Sequence, residues 1–381
     1  MEYSAAFVKI KPSSAWSYVR DATKLAEVQE TVSKEKVPRP TWEPGIEAGY
    51  RPPYKTWGYY ASSLLQFHNE TINVWTHLIG GGVILLYLYH YHILLDFWNN
   101  EKTWPFLAFI LSSLLCTIFS GAAHLLHSKS AYVHYVAFSF DYAGAGLYCF
   151  GCMTFSFYYS FDDDMVKQFG PYVMPINAFL SVISCFSCSY GKTKYSLHHV
   201  LRRKLWFIIP CGMHFILCTG PPAYRFMKSV IFNSGEILPS EIVSCELHFK
   251  SSVIFLIAAM FFISHIPEVY IPGAFDNLCH SHQAWHVLLV ATMSCQFHAA
   301  YNDILHTQYS SDAQIQLPSN GAVFYYLAFI CLADTIVIVV NSFLAKRVVQ
   351  EENQEVAMAT DFVIQNGAAK SMRKDEKPKR S

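Results

Sequence analysis

The chain has 381 residues, of which 52% are apolar and only 15% charged, against about 25% charged in an ordinary soluble domain. Aromatic residues reach 16%, and the formal net charge is zero. This balance excludes nucleic acid as a partner and favours a chain that lives in a lipid bilayer.

Residues 1–50 are mixed polar, with Pro38, Pro40 and Pro44 near the end. A helix from Trp16 to Lys34 fits this stretch, and nothing in it reads as a cleavable signal peptide. Lys55 to His68 is amphipathic and aromatic, which predicts a helix lying in the membrane interface.

Eight apolar segments follow, at about 71–95, 104–127, 134–159, 171–190, 204–221, 250–266, 282–301 and 321–345. Each is near the length of about 20 apolar residues that a spanning helix needs. The expected fold is all-α: a polytopic membrane bundle with a seven-helix core and an eighth transmembrane helix. The expected domains are a cytoplasmic segment 1–50, a membrane domain 51–345 and a disordered cytoplasmic tail 346–381.

Charge sets the orientation. The stretch Gly191 to Lys204 holds five basic and no acidic residues, whereas Phe161 to Gly170 holds Asp162, Asp163 and Asp164 against Lys167 alone. Basic loops stay in the cytoplasm. With eight spans, both termini and the basic loop share that side. The sequon Asn69-Glu70-Thr71 then falls on the cytoplasmic side and stays unmodified. The 11 cysteines are scattered through apolar runs, including the pair Cys185 and Cys188, and read as buried free thiols.

Ionisable residues inside spans mark function by default. His124 lies near the cytoplasmic end of span two, Asp141 two turns into span three, and His282 and His286 at the start of span seven. Four polar groups from three spans therefore share one depth. His282 and His286 are four apart and project from one helix face, a spacing that lets one helix give two ligands to one metal. His124 would supply the third. Three neutral imidazoles with an open fourth position match catalytic zinc. Ser120 faces the same way as His124, and Asp141 is a natural acceptor for a metal-bound water or an imidazole N–H. The plainer alternative is that these histidines hydrogen-bond neighbouring helices, and His127 and His280 are nearby competitors.

Other polar residues carry weaker signals. Glu70, Asn73 and His77 share a face entering span one, and suit interhelical hydrogen bonds, a helix cap or orientation of the site. His298 is twelve residues past His286, roughly 18 Å along a helix, too far to share a metal. Asp334 lies mid-span eight without an obvious partner.

These residues resemble the motifs of the progestin and adiponectin receptor family, a group of membrane receptors related to alkaline ceramidases. Gly49-Tyr50-Arg51-Pro52, then His68-Asn69-Glu70-Thr71-Ile72-Asn73-Val74-Trp75-Thr76-His77, look like its opening motif. Ser120 to His124, Asp141-Tyr142 and Ser281-His282-Gln283-Ala284-Trp285-His286 match in family order. The resemblance covers roughly 45–305 and points to the membrane progestin receptor branch. It implies a zinc ion (Zn2+) on His124, His282 and His286 with Ser120 and Asp141 close by, and a cytoplasmic N-terminus. It also implies a receptor for a progestin-like steroid in the plasma membrane, signalling to cytoplasmic partners, with a G protein among the candidates. The competing reading is a zinc-dependent, ceramidase-like lipid amidase. There an open zinc site activates water near neutral pH, with Asp141 handling the proton and Ser120 bonding the carbonyl oxygen or the water.

Overall fold

The computed structural model describes residues 30–161, 163–195, 200–229, 239–309 and 321–375. Most of the helix expected over Trp16 to Lys34 lies outside them. Among the described residues there is no strand. Eight helices of 23 residues or more are present: α1 (Thr71–Leu95), α2 (Trp104–Leu126), α3 (Ala131–Ser160), α4 (Asp163–Lys194), α5 (Val200–Met227), α6 (Pro239–Ser264), α7 (Ser281–Tyr309) and α8 (Ala322–Asp375). Each contains one of the eight apolar segments.

Six of the eight are long and apolar enough to cross a membrane on composition alone; α3 and α7 are not among them. For α3, its position explains why. Helices α1 to α7 close into a ring by sequential neighbours, with α7 returning to α1. α3 also packs against α5, α7 and α8, so it is enclosed by protein and can carry polar residues. α8 lies outside the ring against α3 and α4. Asn341 of α8 donates to Ser139 Oγ at 2.9 Å and to Thr193 Oγ1 at 3.0 Å. Asp334, also buried, sits against Cys185 of α4. The outer faces are apolar, with Leu86, Ile93, Phe249, Leu256, Leu332 and Phe343 all exposed.

Small residues bring α2 and α3 close, as they do between membrane helices in general. A Cβ on Gly144 would lie 2.9 Å from the Cα of Cys116, and one on Gly151 2.8 Å from the Cα of Phe109. All eleven cysteines are free thiols.

Three expectations need correction. The interfacial helix over Lys55 to His68 is only Trp57–Ser62 with a 3-10 turn at Ser63–Leu65; Thr56 caps its start and the chain is extended at Gln66. The fifth and sixth spans are longer than their apolar runs: α5 reaches Met227 and α6 begins at Pro239. The chain does not lose order at Lys346, because α8 continues to Asp375. That stretch is rich in Ala, Glu, Gln and Lys, with one glycine and no proline, a composition that sustains a helix. Residues on both sides of the expected 50/51 boundary belong to one continuous segment. Residues 30–70 form a strap across the end of the bundle that carries Lys192, Lys194 and Arg203, called here the basic end. Val32 bridges Tyr50, and Val37 and Ile46 pack on Tyr50.

Candidate metal centre

The basic end of α2 and the start of α7 meet behind the strap. His124, in the last turn of α2, is 1% exposed. His282 and His286 occupy the first two turns of α7. His124 Nε2 lies 3.1 Å from His286 Nε2 and 3.4 Å from His282 Nε2. The three ligand nitrogens all fall within 4.8 Å of one another. Two nitrogens bound tetrahedrally to zinc at 2.0–2.1 Å are about 3.3 Å apart, so the observed spacings fit one ion and the donor set could bind a metal.

The second nitrogens of two rings support the same fit. His124 Nδ1 is 2.8 Å from Glu70 Oε2. A carboxylate there holds the proton on Nδ1 and leaves the Nε2 lone pair aimed at the other imidazoles. Asn73 Nδ2 donates to the same Glu70 oxygen at 2.7 Å. His286 Nδ1 is hydrogen-bonded to His77 Nε2. Of the face read as interhelical, Glu70 and His77 bond candidate ligands on α2 and α7, whereas Asn73 donates only to Glu70 at the start of its own helix.

Asp141 lies close to Ser120 and His124, and no hydrogen bond from its carboxylate to a candidate ligand imidazole is present among the described residues. Its carboxylate lies beside the Ser120 side chain, one turn before His124 on α2. The carboxylate on a candidate ligand imidazole is that of Glu70. The sequence signal was present, since Glu70 is an acid at the mouth of a span, but an acid at a helix start is equally read as a cap. In the structure Glu70 makes no side-chain cap to α1.

The competing histidines have other partners. His127 Nδ1 is 3.1 Å from His134 Nδ1, and its Nε2 is 3.2 Å from Glu70 Oε1. Glu70, His124 and His127 thus form a second compact group, in which His124 presents the nitrogen turned away from His282 and His286. His280 Nε2 bonds the Asn69 carbonyl at 3.1 Å. His298 bonds the Tyr91 hydroxyl at 2.9 Å. Asn69 itself is buried, which leaves no room for a glycan.

Two features had no sequence signal. At the opposite end of the bundle, fully buried Asp303 of α7 pairs with Arg225 Nη2 of α5 at 2.7 Å and His248 Nε2 of α6 at 2.9 Å. Arg225 and His248 lie beyond the apolar runs, so they read as loop residues. Two adjoining cavities lie beside this cluster, and the inner one extends toward the imidazoles. The outer, about 540 Å³, lies between α5 and α6 and is lined by Pro222, Phe226, Ile242 and Phe249. The inner, about 110 Å³, is lined by Tyr148, Phe215, Phe255, Trp285, Leu289 and Gln296 among others. Both touch Thr219, His248 and Ser252. Trp285 and Leu289 flank His286 along α7, so the inner cavity ends within about one helical turn of the imidazoles.

Comparison with known proteins follows this layout. A family model described as Haemolysin-III related matches residues 65–297. The membrane progestin receptor beta of Sus scrofa is 36% identical over 272 residues, covering 71% of this chain and 75% of that receptor. The beta receptor of Homo sapiens is 34% identical over 304 residues, covering 80% and 82%. The membrane progestin receptor alpha of Homo sapiens is 35% identical over 274 residues, covering 72% and 77%.

Proposed function

Because the chain belongs to the haemolysin-III-related family, in the membrane progestin receptor branch of the progestin and adiponectin receptors, we propose that it is a membrane receptor for a progestin-like steroid. The observation that carries this reading is the pair of adjoining cavities inside the bundle. Their wall surface is mostly apolar, contributed by aromatic and aliphatic side chains and cysteines, and it is interspersed with Ser, Thr and His residues and Gln296, whose Oε1 accepts from the Tyr148 hydroxyl at 2.6 Å. Apolar cavities with few, fixed polar groups suit a flat apolar ligand. The test is saturable binding of a labelled progestin to the purified protein in lipid nanodiscs. Absence of binding across progestins, with the protein shown to be folded, rejects it.

His124, His282 and His286 are proposed as the ligands of a structural or catalytic zinc ion that joins α2 to α7. Glu70 and His77 orient two of the three rings. The basic end is taken as cytoplasmic, since Lys/Arg-rich loops remain there. Residues 1–50 and 346–381 then lie in the cytoplasm, and the membrane is the plasma membrane. Signalling passes to cytoplasmic partners at that end, a G protein being the partner to test first.

A second reading is favoured by the Ser120–Asp141 pair beside His124. It is a zinc-dependent lipid amidase acting on ceramide-like substrates. When bound, zinc would act as a Lewis acid toward a carbonyl oxygen and lower the pKa of water. Asp141 would hold the transferred proton on its carboxylate, and Ser120 Oγ would position the amide. The test is fatty-acid release from ceramide by the wild type, His286→Ala and Asp141→Ala. Equal rates in all three remove this reading.

A further inference from the structure

The strap that precedes α1 touches the end of α2 and the loop that leads into α7, the two helices that carry the imidazoles. Arg51 lies under the last turn of α2 and is 1% exposed. Its Nη1 donates to the Leu125 carbonyl at 2.6 Å and to Ser63 Oγ at 2.8 Å. Its Nη2 donates to the His124 carbonyl at 2.7 Å and to Ser128 Oγ at 2.9 Å. The last carbonyls of a helix lack donors within it and carry the negative end of its dipole. A planar guanidinium fills two of them together; an ammonium cannot hold the same fork. One of these carbonyls belongs to His124 itself. Its backbone is therefore fixed by Arg51, and its ring by Glu70 at the end of the same strap.

The strap also reaches the loop before α7. Gly45 has a φ of +75° and lies so close to the backbone of Glu268 that a Cβ would collide with it. The Gly273 N–H donates to the Gly45 carbonyl at 3.0 Å, and the Glu47 N–H to Asp276 Oδ1 at 2.8 Å. The Glu268 carboxylate accepts from the Ser281 N–H at 2.8 Å and from the Ser281 hydroxyl. Ser281 is the residue before His282. One short segment thus sits on the end of α2 and on the loop that sets the start of α7.

We infer that Arg51 is a positioning residue for the metal centre, fixing the last turn of α2 so that the His124 imidazole meets His282 and His286 at metal-binding spacing. The inference rests on the zinc reading above and deepens it.

The test uses the purified full-length protein in detergent. Zinc affinity is measured by competition with a chromophoric chelator, and donor geometry by the visible absorption of the cobalt(II)-substituted protein. Arg51→Gln is expected to raise the zinc Kd about 10- to 100-fold, the range typical of lost support around a ligand, and to change the cobalt spectrum. Arg51→Lys keeps the charge but loses the fork, and is expected not to restore either property. A folded Arg51→Gln protein with wild-type affinity and spectrum overturns the inference, as does full restoration by Arg51→Lys. Where Arg51→Gln does not fold, the double variant Ser63→Ala/Ser128→Ala releases the other two anchors of the fork. It is expected to raise the Kd several-fold, and no change would again overturn the inference. A wild-type protein that holds no zinc rejects the zinc reading and this inference together. Zinc in the wild type with an unaffected Arg51→Gln rejects this inference alone.

Discussion

The carboxylate of Glu70, at the mouth of α1, sits 2.8 Å from His124 Nδ1 at the end of α2. Fifty-four residues separate the two in the chain. Glu70→Gln preserves shape and removes the charge that holds the ring in one tautomer. It is expected to weaken zinc binding about tenfold, and Glu70→Ala by more. Chelator competition measures both; an unchanged affinity in Glu70→Ala would remove the proposed role of Glu70.

Protons and zinc compete for the three ligand nitrogens. An ordinary imidazole titrates near about pH 6.5. Zinc content is therefore expected to fall as the pH is lowered from about 7 to 5, and to recover on neutralisation with added zinc. Elemental analysis after equilibration reads this directly. Full retention at the acid end, with free zinc removed, would contradict this expectation. Stripping the metal at neutral pH is expected to lower the thermal midpoint, because an ion bound only by the native state stabilises it.

The ion pair between Asp303 and Arg225 is buried among α5, α6, α7 and α3, where Ser160 Oγ also reaches the carboxylate at 3.3 Å. Removing one partner of such a pair costs about 3–5 kcal/mol, whereas replacing both with apolar residues is often neutral. Asp303→Asn is expected to melt well below the wild type, and Arg225→Met/Asp303→Leu to recover much of the loss. Equal midpoints for wild type and Asp303→Asn would show that the pair contributes nothing.

Gly151 faces Phe109 and Ser112 of α2. A methyl group there would lie 2.2 Å from Ser112 Oγ and 2.8 Å from the Phe109 Cα. Gly151→Ala is expected to lose about 1–3 kcal/mol of stability, the usual cost of overpacking. Ser112→Gly in the same chain should restore little, because the Phe109 backbone stays in the way. Thermal unfolding of the single and double variants decides this.

Trp285 lines the inner cavity beside His286. Trp285→Ala is expected to lower progestin affinity about tenfold, as loss of a buried aromatic contact commonly does. Trp98→Ala, at an exposed position, serves as the control. Equal affinities for both variants would place the ligand elsewhere.

How much of this the sequence could reveal depends on the kind of signal each part leaves. Long apolar runs mark membrane-embedded helices, so all eight segments were visible, although α3 and α7 carry enough polar residues to fall short on composition alone. The shared depth of His124, His282 and His286 was visible because helical rise converts position in a span into height. The supporting contacts left less trace. Glu70 and Arg51 act across long stretches of chain on groups whose side-chain directions only packing fixes. Asp303 lies just past its apolar run, and Arg225 and His248 lie outside theirs; the helices extend beyond the runs because the buried charges neutralise one another. The helical continuation of α8 was missed because a charged, aromatic-poor composition suits a solvated helix as well as a disordered tail.

The outer cavity lies between α5 and α6, and its rim residues Phe226, Ile242 and Phe249 are exposed on the outside of the bundle. That surface is where acyl chains would lie. A solute entering there arrives from the hydrocarbon phase, so its partitioning into the bilayer sets the concentration that the protein meets. Dose-response curves expressed in aqueous molarity would then shift with the lipid-to-protein ratio of the preparation, and a hydrophilic conjugate too bulky to dissolve in the leaflet would fail to reach the same chamber.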